Sequence, residues 1–235
     1  MRIRNLKYVW IFVLLATTSS CGEFFNIEMP VQADVEIELS HHDVDLLVGD
    51  TILLKTTVEP DTVEVSYFWD VYGDADALEV IGHRIRGLKE GVSKVLVRVY
   101  NVAAGNEAES FADSCIIRTF EWNPIERDEY LYETVVYASL SYNGEEVTDF
   151  LGDLRLAAVV DGELRGEAVM REAYGIPYLE MRIKSSWPGE VATIECYHTT
   201  LYKRFVLGQQ LLDGETYGTL SVLKEFSCRE PNFEN

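Results

Sequence analysis

Basic residues and cysteine are scarce in this sequence, and each shortage excludes a class of function. The 235 residues include 20 Lys and Arg against 40 Asp and Glu, which gives a formal net charge of −20. Nucleic-acid phosphates would repel a chain this acidic, and anionic lipid head groups would give it no electrostatic hold. The four cysteines show no CxxC or Cys/His spacing of the kind that binds zinc. We therefore predict neither a nucleic-acid partner nor a zinc site.

Known catalytic motifs are also missing from the sequence. It contains no Gly-x-Ser-x-Gly, no phosphate-binding loop, no His-Glu-x-x-His and no dinucleotide-binding fingerprint. Pairs of acidic side chains are frequent, but among 40 acidic residues such pairs arise by chance. The sequence thus predicts a protein that is not an enzyme and that uses no cofactor.

The longest apolar run is too short to span a membrane, which takes about 20 residues. A basic start, an apolar run at residues 8–16 and small residues before Cys21 describe a secretory signal. The segment Thr18-Ser19-Ser20-Cys21 resembles the lipobox of bacterial lipoproteins. This resemblance implies cleavage before Cys21, diacylation of its thiol and a stable lipid anchor in a membrane. A plain signal peptide with an incidental cysteine is the alternative.

Apolar and polar residues alternate along several segments of residues 34–120, with the period of half-buried strands. The segments LLVGDTILLKTTVEP (46–60) and VIGHRIRGLKEGVSKVLVRVYN (80–101), with Trp69 between them, resemble the group 2 bacterial Ig-like domain. The positions of that family's glycine-rich run are held by Gly82, Ile85, Gly87 and Gly91, with one added residue. The resemblance implies an Ig-like β-sandwich of the kind found in surface adhesins and spacers. Trp69, with apolar neighbours two residues away, is predicted to lie in its core.

Residues 128–230 are also rich in predicted strands. Three dipeptides predict tight hairpins: Asn143-Gly144, Asp161-Gly162 and Asp213-Gly214. The segment VVDGELRG (159–166) resembles a repeat domain of surface lipoproteins of Gram-negative anaerobes, with Leu164 where that family often has Cys. This second resemblance implies a β-rich fold and a surface location, but no chemistry.

We predict an all-β fold with two tandem β-sandwich (Ig-like) domains after a cleaved lipoprotein signal peptide. The predicted segments are the signal peptide at 1–20, a tether at 21–33, the first sandwich at 34–120, a linker at 121–127, the second sandwich at 128–230 and a tail at 231–235. Trp122, in the linker, is predicted to pack at the junction of the two sandwiches.

Aromatic and acidic residues supply the candidate ligand sites. Trp187 and Tyr202 lie near predicted turns of the second sandwich and are candidate ligand-binding residues, because exposed rings on a β-sandwich can stack on sugars. Packing of these rings in a turn or in the core is the alternative. A predicted loop contains four acidic residues that would suit calcium: Asp70, Asp74, Asp76 and Glu79. Their spacing is not that of an EF-hand, so an ordinary solvated loop is the other interpretation.

Three cysteines remain if Cys21 carries lipid, so at most one disulfide forms and one thiol stays free. Cys196 and Cys228 share the second half of the chain and are the predicted pair, which leaves Cys115 as the free thiol.

Two functional classes fit these features. The first is a surface-exposed adhesion or binding lipoprotein, held on a membrane through its N-terminal lipid, that recognises a glycan or a protein through its C-terminal domain. The second is a structural accessory or spacer subunit of an envelope complex without a ligand of its own. Gly22 after Cys21 is compatible with sorting to the outer membrane. A contiguous exposed aromatic or apolar patch would favour the binding protein.

Overall fold

The computed structural model of the chain describes residues 35–62, 64–101, 110–123, 130–148 and 153–229. The predictions for the signal peptide, the tether and Cys21 lie outside these residues. Within the described ranges the helical structure is a single 3-10 turn at Ala75–Ala77, and no helix is long and apolar enough to cross a membrane. Strands make up nearly all of the regular structure, so the all-β fold class is confirmed.

The first sandwich is built from strands that form two layers. In chain order they are β1 (Glu36–Leu39), β2 (Asp43–Leu47), β3 (Thr51–Leu53), β4 (Thr56–Glu59), β5 (Val65–Gly73), β6 (Leu78–Ile81), β7 (Arg84–Gly87), β8 (Gly91–Asn101) and β9 (Ser110–Phe120). One layer has the order β2-β9-β8-β5, with β2 parallel to β9 and the other pairs antiparallel. The opposite layer contains the sheet β3-β7-β6 and the pair β1-β4. Strand β5 is therefore an edge strand of its sheet.

The inward-facing side chains of these strands form the core of the first sandwich. Val95, Val97 and Val99 in β8 are fully buried, whereas the intervening side chains of this strand point away from the core. Trp69 in β5 is half-buried and packs against this core, with its ring edge-on to the His83 ring at 5.1 Å. The predicted inward position of Trp69 is confirmed.

The second sandwich follows the same principle with longer strands. They are β10 (Tyr132–Tyr142), β11 (Glu145–Glu146), β12 (Leu154–Val160), β13 (Glu163–Ala173), β14 (Ile176–Ser185), β15 (Glu190–His198), β16 (Lys203–Leu212), β17 (Thr216–Tyr217) and β18 (Lys224–Cys228). The sheet order is β10-β14-β13-β12-β15-β16, and β11, β17 and β18 also pair with β10. The first part of β13 pairs with β12 and its second part with β14, so β13 passes from one layer to the other.

Two of the predicted hairpins are confirmed. Asn143-Gly144 joins β10 to β11, and Asp161-Gly162 joins β12 to β13, each as a two-residue turn between directly paired residues. All four turn residues have positive φ, between 51° and 88°. This backbone matches the right-handed twist of the flanking strands, and Asn, Asp and Gly adopt it at low cost.

The hairpin predicted at Asp213-Gly214 is wrong. The strand that follows, β17, pairs in parallel with β10 instead of turning back onto β16. A two-residue turn that the sequence analysis did not identify lies at Tyr174-Gly175 between β13 and β14, where both residues have positive φ. A tyrosine in this position is an uncommon turn residue, so only Gly175 signals the turn.

The VVDGELRG segment has a packing role in the second sandwich. The buried Arg165 side chain lies 3.1 Å from the Glu163 carboxylate and 3.4 Å from the carboxylate of Glu190, the first residue of β15. A Cβ atom on Gly166 would lie 2.3 Å from the carbonyl oxygen of Arg182, so glycine is required at this close approach of backbones. The turn at Asp161-Gly162, the ion pairs of Arg165 and the close packing at Gly166 give this segment a structural role.

The two sandwiches are joined by a shared cluster of buried side chains. It contains Leu47 and Phe120 from the first sandwich, Trp122, and Ala157, Val159 and Tyr197 from the second. Trp122 is 6% exposed, and its indole Nε1–H donates to the Glu195 carboxylate at 2.9 Å. The predicted position of Trp122 at the junction is confirmed, because its ring lies among residues from both sandwiches.

Candidate binding surface

Trp187 and Tyr202 lie at opposite ends of strand β15. Trp187 occupies the turn before β15 and is 60% exposed. Tyr202 occupies the turn after β15, where it is half-buried and packs against the core of the first sandwich. Strand β15 has nine residues and spans about 27 Å from its first to its last residue at a rise of about 3.4 Å, and this length separates the two turns. The two rings therefore do not share one surface, and Tyr202 takes part in the contact between the sandwiches.

The four acidic residues of the predicted calcium loop are engaged elsewhere or lie apart. The Asp70 carboxylate pairs with Arg98 at 2.7 Å, and the Asp76 carboxylate pairs with Lys89 at 2.5 Å. The Asp74 carboxylate accepts the backbone N–H of Val92 at 2.8 Å, and Glu79 lies on strand β6. Within the described ranges, no group of three or more His, Cys, Asp or Glu residues is arranged to hold a metal ion.

The two cysteines predicted to pair are neighbours in the structure. Cys196 and Cys228 are both buried, and the Cys228 side chain is a hydrogen-bonding neighbour of Cys196. The tertiary structure therefore brings together two residues that are 32 positions apart in the sequence.

A contiguous exposed aromatic surface lies on the outer face of strands β5 and β8. Side chains alternate along β5, so Trp69 packs inward while Phe68 and Tyr72 point to solvent with exposed fractions of 55% and 49%. Arg98 lies opposite Phe68 in the antiparallel register of β8, and Tyr100 lies one pair further along the same face. This face combines large rings with a charged centre.

The polar groups at the centre of this face are held by their neighbours. Arg98 Nη2 lies 2.7 Å from Asp70 Oδ2 and donates to the Tyr72 hydroxyl at 3.1 Å. The Phe68 and Tyr100 rings meet edge-to-face with centroids 5.1 Å apart. We call these five residues, Phe68, Asp70, Tyr72, Arg98 and Tyr100, the aromatic strip.

Arg98 is held in place and remains charged within the aromatic strip. The pKa of Arg98 is raised above its ordinary value. The largest cause is a hydrogen bond to the Tyr100 hydroxyl, followed by the hydrogen bond to the Tyr72 hydroxyl and the attraction of the Asp70 carboxylate. A guanidinium held from three sides loses little further freedom when a ligand binds, which lowers the entropic cost of binding. The strip is therefore organised before any ligand arrives.

Small side chains lie beside the aromatic strip and leave its rings accessible. Ala112 and Ser114 of β9 lie opposite Arg98 and Leu96 on the outer face, and both side chains are small. The exposed Lys94 lies opposite Tyr72 and adds a second positive charge to that of Arg98. The outer face near the strip thus carries two positive side chains and one negative one, Asp70, in a chain whose net charge is −20.

The aromatic strip was not predicted from the sequence, because the prediction for this strand used only its inward residues. Aromatic residues occur on both faces of this strand, with Tyr67 and Trp69 on one face and Phe68 and Tyr72 on the other. Such a pattern is typical of a strand buried on both sides. A strand of a two-layer sandwich has only one buried face, so the second set of rings faces solvent. The presence of rings on both faces of a strand with one buried face could have predicted the exposed rings.

No protein-family model matches the chain, and no curated protein matches it. Among solved structures, it is similar to Bacteroides ovatus mixed-linkage glucan utilization locus SGBP-B, in complex with a mixed-linkage heptasaccharide (11% identity, 78% of this chain, 48% of that chain, TM-score 0.26). It is also similar to the fibronectin(III)-like modules of Clostridium thermocellum CbhA (16% identity, 86% of this chain, 99% of that chain, TM-score 0.27). The surface layer protein SbsC, domains 1–6, matches at 13% identity over 74% of this chain and 25% of that chain, with a TM-score of 0.25.

The chain spans less than half the length of the first of these proteins. At these TM-scores the similarities carry no argument about function, which we base on the residues of the chain itself.

Proposed function

We propose that this chain is a non-enzymatic, lipid-anchored protein of the cell envelope that binds a glycan through the aromatic strip. The observation that carries the proposal is the pair of exposed rings, Phe68 and Tyr72, which lie with the half-buried Tyr100 around the Arg98–Asp70 ion pair. Cys21 would hold the protein on the outer membrane, and the folded residues would face the cell exterior.

The chemistry of the aromatic strip suits a sugar chain. The C–H faces of sugar rings pack on aromatic rings, and their hydroxyls need donors and acceptors close by. Phe68 and Tyr72 supply rings about 13 Å apart along the strand, and Arg98 and Asp70 lie between them. A ligand that contacts both rings must be longer than one sugar unit. An oligosaccharide that lies along β5 therefore fits the surface better than a monosaccharide.

The strip contains no group that would act on such a ligand. Its one carboxylate, Asp70, is paired with Arg98, and retaining and inverting glycosidases use a pair of carboxyl groups. The strip also lacks a serine, cysteine or histidine. These side chains support binding without catalysis.

The sequence-based hypothesis that recognition belongs to the C-terminal domain rests on Trp187 alone, since Tyr202 packs against the first sandwich. One set of variants separates the two surfaces. The full chain in detergent is screened on an array of neutral and uronic-acid-containing glycans, and its affinity for the best ligand is measured by calorimetry. We expect Phe68→Ala/Tyr72→Ala to weaken binding at least about tenfold and Trp187→Ala to leave it unchanged.

Ile81→Ala is the matched control for loss of exposed apolar surface in the first sandwich. Its side chain is 66% exposed on β6 in the opposite layer, so its removal should leave the affinity unchanged. Loss of binding with Trp187→Ala alone would transfer recognition to the second sandwich. If no glycan binds the wild-type chain, the structural accessory becomes the better account.

A further inference from the structure

The two thiols of the second sandwich, Cys196 and Cys228, have different surroundings from the Cys115 thiol of the first sandwich. Cys196 and Cys228 are 0% and 2% exposed, and each side chain has the other as a hydrogen-bonding neighbour. Cys115 is also buried, but it lies in the first sandwich, and its thiol donates to the carbonyl of Ile116 at 3.6 Å. One pair of thiols is therefore adjacent, and the third thiol has a different neighbour.

The strand pairing independently places Cys196 and Cys228 close together. Cys196 lies opposite Phe205 in the register of β15 and β16, and Cys228 lies opposite Tyr142 in the register of β18 and β10. The Tyr142 and Phe205 rings lie edge-to-face with centroids 6.2 Å apart. Strand β16 also packs directly against β18. The two cysteines thus face each other where the layer of β15 and β16 meets the layer of β10 and β18.

We propose that Cys196 and Cys228 form a disulfide that joins the two layers of the second sandwich, by exchange with an external disulfide such as oxidised glutathione or a protein oxidant. One cysteine sulfur attacks the external disulfide, forms a mixed disulfide and releases one thiol. The second cysteine sulfur then attacks the mixed disulfide and releases the other thiol. The pair loses two electrons and two protons, and the oxidant gains both.

The surroundings of the pair indicate when this reaction takes place. Burial, followed by the neighbouring Cys228, raises the pKa of Cys196 to about 12, so the folded protein holds almost none of this thiol as the reactive thiolate. Exchange therefore takes place while the sheets are still open, before the layers close over the sulfurs. Once formed, the disulfide is shielded from reductants by the same packing. This inference does not depend on the proposed glycan binding.

The bond would fasten the last strand of the sandwich. Strand β18 is held by parallel pairing with β10 along five residues. A covalent link from Cys228 to β15 closes a loop from residue 196 to residue 228 and restricts the unfolded chain. We expect this link to raise the melting temperature of the protein by about 5–15 °C.

The test uses the full chain, unfolded, reduced and then refolded in a buffer of reduced and oxidised glutathione. Denaturation in iodoacetamide without reductant, followed by peptide mass mapping, should yield alkylated Cys115 and a linked peptide pair containing Cys196 and Cys228. Reduction of the unfolded chain should separate that pair with a gain of two hydrogens. Alkylation of Cys115, Cys196 and Cys228 together, or a link that includes Cys115, would overturn the proposal.

Single-cysteine variants separate the crosslink from the packing of the side chains. In the wild type and in Cys115→Ala, the refolded oxidised form should melt about 5–15 °C higher than the form refolded with reductant. In Cys196→Ala and Cys228→Ala the two forms should melt together, whatever the effect of the lost side chain. Equal melting of the oxidised and reduced wild type would count against a crosslink between the layers.

Discussion

At Asp50, burial and a nearby guanidinium act in opposite directions on a single carboxyl group. The residue lies in the turn between β2 and β3, near Arg155 and Tyr197 of the second sandwich. Burial raises the pKa of Asp50, and the attraction of Arg155 lowers it by less, so the net direction is upward. The folded chain therefore holds the Asp50 proton more tightly than the unfolded chain, whose carboxyl titrates near about 3.9. Ionised Asp50 opposes folding at neutral pH.

This balance predicts a pH-dependent stabilisation by Asp50→Asn. The asparagine cannot ionise, so the variant should melt at a higher temperature than the wild type at neutral pH. The difference should shrink as the pH falls through the raised pKa of Asp50, and it should vanish below about 3.9, where the carboxyl is protonated in both states. Thermal unfolding of both proteins between about pH 3.5 and pH 8 measures it.

Asp61→Asn provides the control for this prediction, because Asp61 is exposed in the turn after β4. Its melting temperature should follow that of the wild type at each pH. An Asp50→Asn protein that is less stable than the wild type at neutral pH would mean that the carboxylate makes a favourable contact outweighing its burial.

At the scale of single elements, two tryptophans show how strand and turn positions differ. Trp69 lies on the inward face of β5 and contacts the first core and the His83 ring. Trp187 lies in the turn before β15 with 60% of its surface exposed. We expect Trp69→Ala to lower the free energy of unfolding by more than about 2 kcal/mol. Trp187→Ala should lower it by less than about 1 kcal/mol.

Denaturant unfolding of the two variants, extrapolated to water, measures this difference. Phe68→Ala is the control on the same strand, because its ring faces outward and should contribute little to stability. Equal losses for Trp69→Ala and Trp187→Ala would contradict the assignment of one ring to a core and the other to a surface.

Turn chemistry was predictable where the two strands of a hairpin are neighbours in the sequence. Asn143-Gly144 and Asp161-Gly162 adopt the positive φ values that such turns require. Asp213-Gly214 has the same composition, yet the chain continues to β17, which pairs with the distant strand β10. A dipeptide reports the local backbone, but the partner of the next strand is decided by long-range pairing.

At the scale of the whole molecule, the proposed anchoring rests on Cys21. Metabolic labelling with a palmitate analogue should mark the wild-type protein, and Cys21→Ser should lose both the label and its retention in the membrane fraction. Cys115→Ser should keep both, because that thiol is buried in the first core. A wild-type protein that takes up no label would contradict lipidation and favour a plain signal peptide.

The junction between the sandwiches limits how the molecule can present its surfaces. The rings of Phe120, Trp122 and Tyr197 pack edge-to-face with centroids within 6.4 Å of one another. The Trp122 indole N–H also donates a hydrogen bond to the buried Glu195 carboxylate. The turn containing Tyr202 adds a second contact, where its carbonyl accepts the backbone N–H of Asp45 at 2.8 Å. The sandwiches are thus connected by side chains and backbone as well as by the segment between them.

The amino-acid sequence by itself determined the all-β class, the inward position of Trp69, two hairpin turns and the place of Trp122. Each follows from an alternation or a turn preference within a few residues, which acts before any distant contact forms. Only the tertiary structure decided that β5 is an edge strand with Phe68 and Tyr72 in solvent. It also separated Trp187 from Tyr202 and brought Cys196 beside Cys228. These outcomes depend on which strands pair and which layers face each other, and sheet pairing joins residues that local sequence patterns do not relate.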